Sequence, residues 1–144
     1  MEMRTSIMNR RLGVGINYAG LALMLILWNI VVNVQPLRPY VLAGMIAMIL
    51  VVVISFILVH LKTGLWKMIH MKSEDLDERE LQVAHEALRH SYAWFTVITL
   101  GLVLVNILAA EAGFGYIDSV LVVSLIYLAH TLPSSILAWT QREV

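Results

Sequence analysis

The chain has 144 residues, of which 60% are hydrophobic and 14% are charged, and its formal net charge is zero. An ordinary soluble domain, with about a quarter of its residues charged, is excluded by this balance, and so is a nucleic-acid-binding protein with a concentrated basic face. Because the chain has no cysteine, disulfides, thiolate metal sites and a cysteine nucleophile are excluded as well.

Two long uncharged runs occupy the first part of the chain. Residues 12–37 follow a short head with three arginines and carry no charge over 26 positions. This is more than the roughly 20 apolar residues that cross a bilayer. Pro36 and Pro39 interrupt the run and predict a tight turn between antiparallel spans. We therefore predict uncleaved spans at about 12–35 and 40–61.

A polar stretch, residues 73–92, separates these runs from two more. Asp75 and Glu78 have the spacing of a capping box, which predicts a helix start at Asp75. No Gly or Pro follows before Leu100, so the helix should continue into the third apolar run, at 91–111. A fourth run lies at 118–140. The fold predicted is an all-α, integral membrane four-helix bundle in one domain, with a cytosolic loop and stalk at 62–90.

Basic residues predict the orientation of the four spans. With four crossings, nine of the ten Lys and Arg residues fall on one side, and only Arg38 falls on the other. Trp66, Tyr92, Trp94 and Trp139 then mark the inner interface, while Tyr40 and Tyr116 mark the outer one. We predict a multi-pass protein of the cytoplasmic (inner) membrane with both termini and the stalk in the cytoplasm.

Four polar side chains inside the spans are candidate site residues: Asn29, Asn33, Asn106 and His130. They have two interpretations, hydrogen bonding between helices and a polar pocket for a small ligand, and we take the first as the default. Asn29 and Asn106 lie at similar predicted depths, so they are expected to face each other. His60 and His130 are a possible haem pair, but their predicted depths differ by roughly 10 Å, and we predict no cofactor.

The segment His85-Glu86-Ala87-Leu88-Arg89-His90 resembles a zinc-protease helix, but its two histidines are five residues apart where the metal requires four. We therefore predict no metal site, no catalytic residue and no enzymatic activity. A solvated, ion-paired helix face is the preferred interpretation of this segment.

The other side of the stalk is apolar, and such a stripe is normally covered by another helix or by the membrane surface. Asp77 and Glu80 lie at its margins and would need partners if the stripe were buried. The predicted partner-binding residues are Asp77, Glu78, Arg79, Glu80, Leu81, Ala84 and Leu88.

The segment Leu76-Asp77-Glu78-Arg79-Glu80, followed by Ala84, Ala87 and Ser91-Tyr92, resembles small prokaryotic membrane proteins of unknown function that carry an Asp-Glu-Arg-Glu/Gln motif. The resemblance implies a four-span protein whose motif stands at the base of the third helix. It implies no activity.

The function predicted is that of a non-enzymatic accessory or regulatory membrane protein that acts through its cytosolic stalk. Its expected partners are the lipid bilayer and either another membrane protein or a second copy of the chain. The alternative is a small oligomeric transporter or channel for a small molecule or ion. Against that alternative, no Asp, Glu, Lys or Arg stands in the middle of any predicted span.

Overall fold

The computed structural model describes residues 2–33, 38–72, 76–113 and 118–140, and the side chains of these except 2–7 and 33. Within this part the chain is helical and contains no strand. The helices are α1 (Glu2–Asn33), α2 (Arg38–Phe56), a π-helical segment (Ile57–Leu61) that continues α2, α3 (Leu65–His70), α4 (Glu78–Glu111) and α5 (Ser119–Thr140).

Four stretches of helix are long and apolar enough to cross a membrane: Met8–Val32, Arg38–Leu61, Glu78–Glu111 and Ser119–Thr140. The all-α class and the four long apolar helices are therefore confirmed. Of the predicted turn at 35–39, residues 35–37 lie outside the described residues, whereas Arg38 and Pro39 already belong to α2. Asp75 and the interface residue Tyr116 also lie outside the described residues.

The four long helices pack in the order α2, α1, α5, α4. The pair α1 and α2 is antiparallel and close, because a Cβ placed on Gly13 would lie 2.3 Å from Cγ2 of Val59, and one on Gly20 would lie 3.1 Å from Cγ2 of Val52. Glycine at position 13 lets the helices approach more closely than a side chain would allow, and at Gly20 a Cβ would make a tight contact with Val52. Since α4 packs on α5 and α3, the most apolar part of α4 is left exposed on its other sides.

The carboxylate of Asp118 links α5 to α1 at the end of the bundle that contains Trp28. We call this end the far end. Oδ1 of Asp118 accepts a hydrogen bond from the backbone N–H of Leu121 at 2.9 Å, which caps the start of α5. Its Oδ2 accepts from the indole N–H of Trp28 on α1. Asp118, the residue before α5, thereby joins the start of α5 to α1.

At the opposite end, which we call the stalk end, α4 begins with a capping box, but not the one predicted. Asp77 is the N-cap: its Oδ1 accepts from the N–H of Glu80 at 2.7 Å, and the Glu80 carboxylate accepts from the N–H of Asp77 at 3.2 Å. The predicted start at Asp75 is wrong by two to three residues. Two overlapping acidic pairs satisfy the same spacing rule, so spacing alone could not choose between them.

Candidate functional site

Eight polar side chains meet where α1, the end of α2 with its π-helical segment, and α5 pack together in the half of the bundle nearer the stalk end. We call this group the polar cluster: Asn17, Tyr18, Ser55, His60, Tyr127, Thr131, Ser134 and Ser135. Six of the eight are buried, and the two tyrosines are partly buried. A polar group in an apolar surrounding needs hydrogen-bond partners, and this cluster supplies them from three helices.

Asn17 on α1 is the hub of the cluster and is fully buried. Its amide nitrogen donates to the Val52 carbonyl and to Oγ of Ser55, both at 2.9 Å. Its amide oxygen accepts from the Tyr127 hydroxyl at 3.0 Å. One side chain therefore joins α1 to α2 and to α5 at the same depth.

Tyr18, the next residue on α1, makes a second connection to α5. Its hydroxyl donates to Oγ of Ser135 at 2.7 Å and lies 3.3 Å from Oγ1 of Thr131. The Ser135 hydroxyl in turn donates to the Thr131 carbonyl at 2.9 Å. Every one of these three hydroxyls is satisfied within the protein.

His60 is the exception in an otherwise satisfied cluster. It stands on the π-helical segment, is fully buried, and its Nδ1 lies 2.9 Å from Oγ of Ser134. Because Ser134 donates its hydroxyl hydrogen to the Thr131 carbonyl, the serine accepts from Nδ1–H of His60. The other ring nitrogen, Nε2, is then a buried acceptor, and no described residue donates to it.

Two aromatic rings lie beside this histidine or close to it. The ring of Phe56 lies 5.2 Å from that of His60 and makes an edge contact with Trp66 at 5.3 Å. Trp66 stacks on His70 at 4.0 Å within α3, and α3 packs against the π-helical segment that carries His60. Within the described residues, no group of three or more His, Asp and Glu side chains could hold a metal ion.

The predicted intramembrane polar residues lie elsewhere. Asn29 is exposed on α1 and Asn106 is half-buried on α4, and since these helices do not pack along one another, the structure does not bring the two amides together. The side chain of Asn33 lies outside the described part. His130 is exposed, with its Nδ1 3.0 Å from the Ile126 carbonyl of its own helix, whereas His60 is enclosed, so the two rings do not meet.

The apolar side of the stalk, which we now define as residues 78–90 of α4, is covered by the same chain. Ala84 and Ala87 are buried, and Ala87 belongs to a core with Leu65 of α3 and Leu137 of α5. Ala84, one of the predicted partner-binding residues, is therefore covered within the chain itself. Leu81 is half-buried, and Leu88 remains 43% exposed.

The capping box also corrects the interpretation of Asp77 and Glu80. Their carboxylates bind each other's backbone N–H groups, so they do not need a partner molecule. Both residues and Arg79 are exposed. The outward side of the stalk forms a shallow groove of about 380 Å³, lined by Glu78, Leu81, Gln82, His85, Glu86 and Arg89.

Sequence reasoning missed Asn17, although a signal was present. Gly13, Asn17 and Gly20 have the i, i+4, i+7 spacing of one helix face. Small residues on both sides of an amide mark a face on which another helix can approach closely enough to accept its hydrogen bonds.

Comparison of the chain with protein-family models, with curated proteins and with solved structures gave no match. The resemblance to proteins with an Asp-Glu-Arg-Glu/Gln motif therefore rests on the residues of the motif alone.

Proposed function

We propose that the chain is a non-enzymatic accessory or regulatory protein of the cytoplasmic membrane, which recognises another membrane protein or a second copy of itself through its stalk. The observation that supports this most directly concerns the charged residues on the outward side of the stalk. Glu78, Glu86 and Arg89 line its groove and are exposed, and within the described residues no ion pair joins them. The predicted ion-paired face is thus a set of charges available to a partner.

Packing of the stalk favours recognition over a solvated spacer. With Ala87 held against Leu65 and Leu137, the stalk presents its charged side in a defined direction. A helix of 34 residues is about 50 Å long at 1.5 Å per residue, which exceeds a hydrocarbon core of about 30 Å. The part of α4 that exceeds the hydrocarbon core can lie in the aqueous phase. The nine-to-one division of basic residues supports the cytoplasm as that phase.

Single-cysteine labelling tests the orientation, since the chain has no native cysteine. Gln82 and Glu111 are both exposed on α4, one in the stalk and one at the far end. In intact cells, a membrane-impermeant maleimide should label Glu111→Cys and should reach Gln82→Cys only after permeabilisation. Labelling of Gln82→Cys from outside intact cells, with Glu111→Cys protected, would mean that the topology is inverted.

Charge reversal tests recognition by the stalk. Glu86→Lys should lower the amount of associated protein recovered in mild detergent by at least fivefold, because it places a repulsive charge within the groove. Glu111→Lys is the matched control, since it reverses an exposed glutamate at the other end of the same helix. It should leave recovery unchanged. Full recovery and an unchanged oligomeric mass with Glu86→Lys would reject the stalk as the recognition surface.

The alternative of a small transporter or channel has one supporting observation, the buried Nε2 of His60. The rest of the polar cluster favours a packing role, because the hydrogen bonds of Asn17 and Tyr18 run from helix to helix and satisfy the groups that make them. We therefore favour the accessory function.

A further inference from the structure

A groove runs along the outside of the α1 and α2 pair at the stalk end. It has a volume of about 900 Å³, and its lining is mostly aliphatic over the part that lies within the two spans. Ile16, Ile54 and Leu58 are exposed along it, at 44%, 56% and 49%. A groove of this volume with an aliphatic lining can hold the acyl chain of an amphiphile.

The charged residue of the groove stands at its stalk end. Arg10 lines the groove there together with Asn9 and Thr63, close to the end of both spans. Its Nε is buried, and no described residue accepts a hydrogen bond from it. The neighbouring Arg11 also has a buried Nε with no acceptor among the described residues, but its Nη2 donates to the Trp139 carbonyl at 2.8 Å and its guanidinium lies 5.4 Å from the Trp139 ring centre.

Charge complementarity defines the ligand. A guanidinium binds phosphate through several N–H donors, and a basic residue between transmembrane helices at the membrane surface is typical of lipid headgroup sites. Thr63 already donates its hydroxyl hydrogen to the Val59 carbonyl, so Arg10 and the Asn9 amide are the donors left to the ligand. Among the residues whose side chains are described, no Asp or Glu lines this groove, so none of them would pair with the amine of a zwitterionic headgroup.

We propose that this groove binds one anionic phospholipid, with its phosphate on Arg10 and an acyl chain along Ile16, Ile54 and Leu58. The proposal shares with the proposed function only the placement of the helices in a membrane, and it does not depend on recognition by the stalk. It makes the contact between α1 and α2 sensitive to the lipid composition around the protein.

Native mass spectrometry of the protein in mild detergent, titrated with phosphatidylglycerol or phosphatidylcholine, tests the site. Phosphatidylglycerol should bind at least fivefold more tightly than phosphatidylcholine, and Arg10→Gln should weaken its binding about tenfold. Lys62→Gln is the matched control, because it removes an exposed positive charge at the same end from a residue outside the groove lining. It should change the affinity less than twofold.

Ile54→Trp provides a second, independent variant. A bulky ring at this exposed position fills the groove and leaves Arg10 in place, so binding should fall by at least fivefold with the thermal transition unchanged. If Arg10→Gln and Lys62→Gln lower the affinity for phosphatidylglycerol equally, the lipid is held by general attraction to surface charge, and the proposal is overturned. Equal binding of the two lipids, or unchanged binding to Ile54→Trp, would overturn it too. None of these results alters the recovery of protein associated with the stalk.

Discussion

Replacing Asn17 with leucine is expected to lower the free energy of unfolding by about 2 to 3 kcal/mol. The substitution keeps the branched shape of the side chain but removes hydrogen bonds to the Val52 carbonyl, Ser55 and Tyr127 at once. Hydrogen bonds between membrane helices contribute about 0.6 kcal/mol on average and up to about 1.7 kcal/mol, and the Tyr127 hydroxyl loses its acceptor. Unfolding by a denaturing detergent, followed by circular dichroism, measures the loss.

A double-mutant cycle shows whether the loss comes from the hydrogen bond to Tyr127. Tyr127→Phe removes the same hydrogen bond from its donor side. The double variant should therefore lose about 0.5 to 1.5 kcal/mol less free energy of unfolding than the sum of the two single losses. Asn106→Leu, on a helix outside the cluster, should cost less than about 1 kcal/mol. If Asn17→Leu leaves stability unchanged but abolishes a transport activity, the cluster serves the alternative function.

The second large effect is expected at Gly13, where Gly13→Ala should destabilise the protein by about 1 to 2 kcal/mol. Its methyl group would lie 2.3 Å from Cγ2 of Val59, and a branched valine cannot rotate away without strain. Overpacking of this kind costs about 1 to 3 kcal/mol, and the better helix propensity of alanine offsets up to about 1 kcal/mol of it. The midpoint of thermal unfolding in detergent gives the comparison.

Gly15→Ala is the matched control, because a Cβ at that position meets no atom within 4 Å. This variant should be stabilised by up to about 1 kcal/mol through helix propensity alone. Val59→Ala removes the clashing methyl group, so the double variant with Gly13→Ala should be at least about 1 kcal/mol more stable than the two single effects predict together. If the effects of Gly13→Ala and Val59→Ala on stability are additive, α1 and the π-helical segment move apart freely and the predicted clash does not occur.

The parts of the fold that follow from hydrophobic composition were predictable, and those that follow from packing were not. Uncharged runs of about 20 residues or more predict four helices long enough to cross a membrane, whatever the arrangement of the helices. That α4 packs on α5 and not directly on α1 depends on which faces fit together, and an apolar run that is hydrophobic all round does not reveal its inner face. The pairing of Asn29 with Asn106 failed for this reason.

The candidate site was predictable only on α5. In the sequence of α5, Thr131, Ser134 and Ser135 are three closely spaced hydroxyl residues in an apolar run, and all three are buried in the polar cluster. His60 was recognised as a residue inside a span, but nothing in the residues around it signals the π-helical segment that carries it. On the stalk, the periodicity placed Ala84 on the apolar side but could not show that the chain itself buries it, nor that Leu65 of α3 and Leu137 of α5 pack on Ala87.

The hydrogen bond between Tyr127 and Asn17 joins residues that are 110 positions apart. At about 5 to 20 residues per second, a ribosome makes Tyr127 roughly 5 to 20 s after Asn17. In that interval α1 can pair with α2, since Val52 and Ser55 follow Asn17 by only 35 and 38 positions. The Asn17 oxygen and the Tyr18 hydroxyl have no partners from α5 until that helix has been made. In a growing chain these polar atoms therefore lack their native partners for seconds, and the packing of α5 completes the assembly of the bundle.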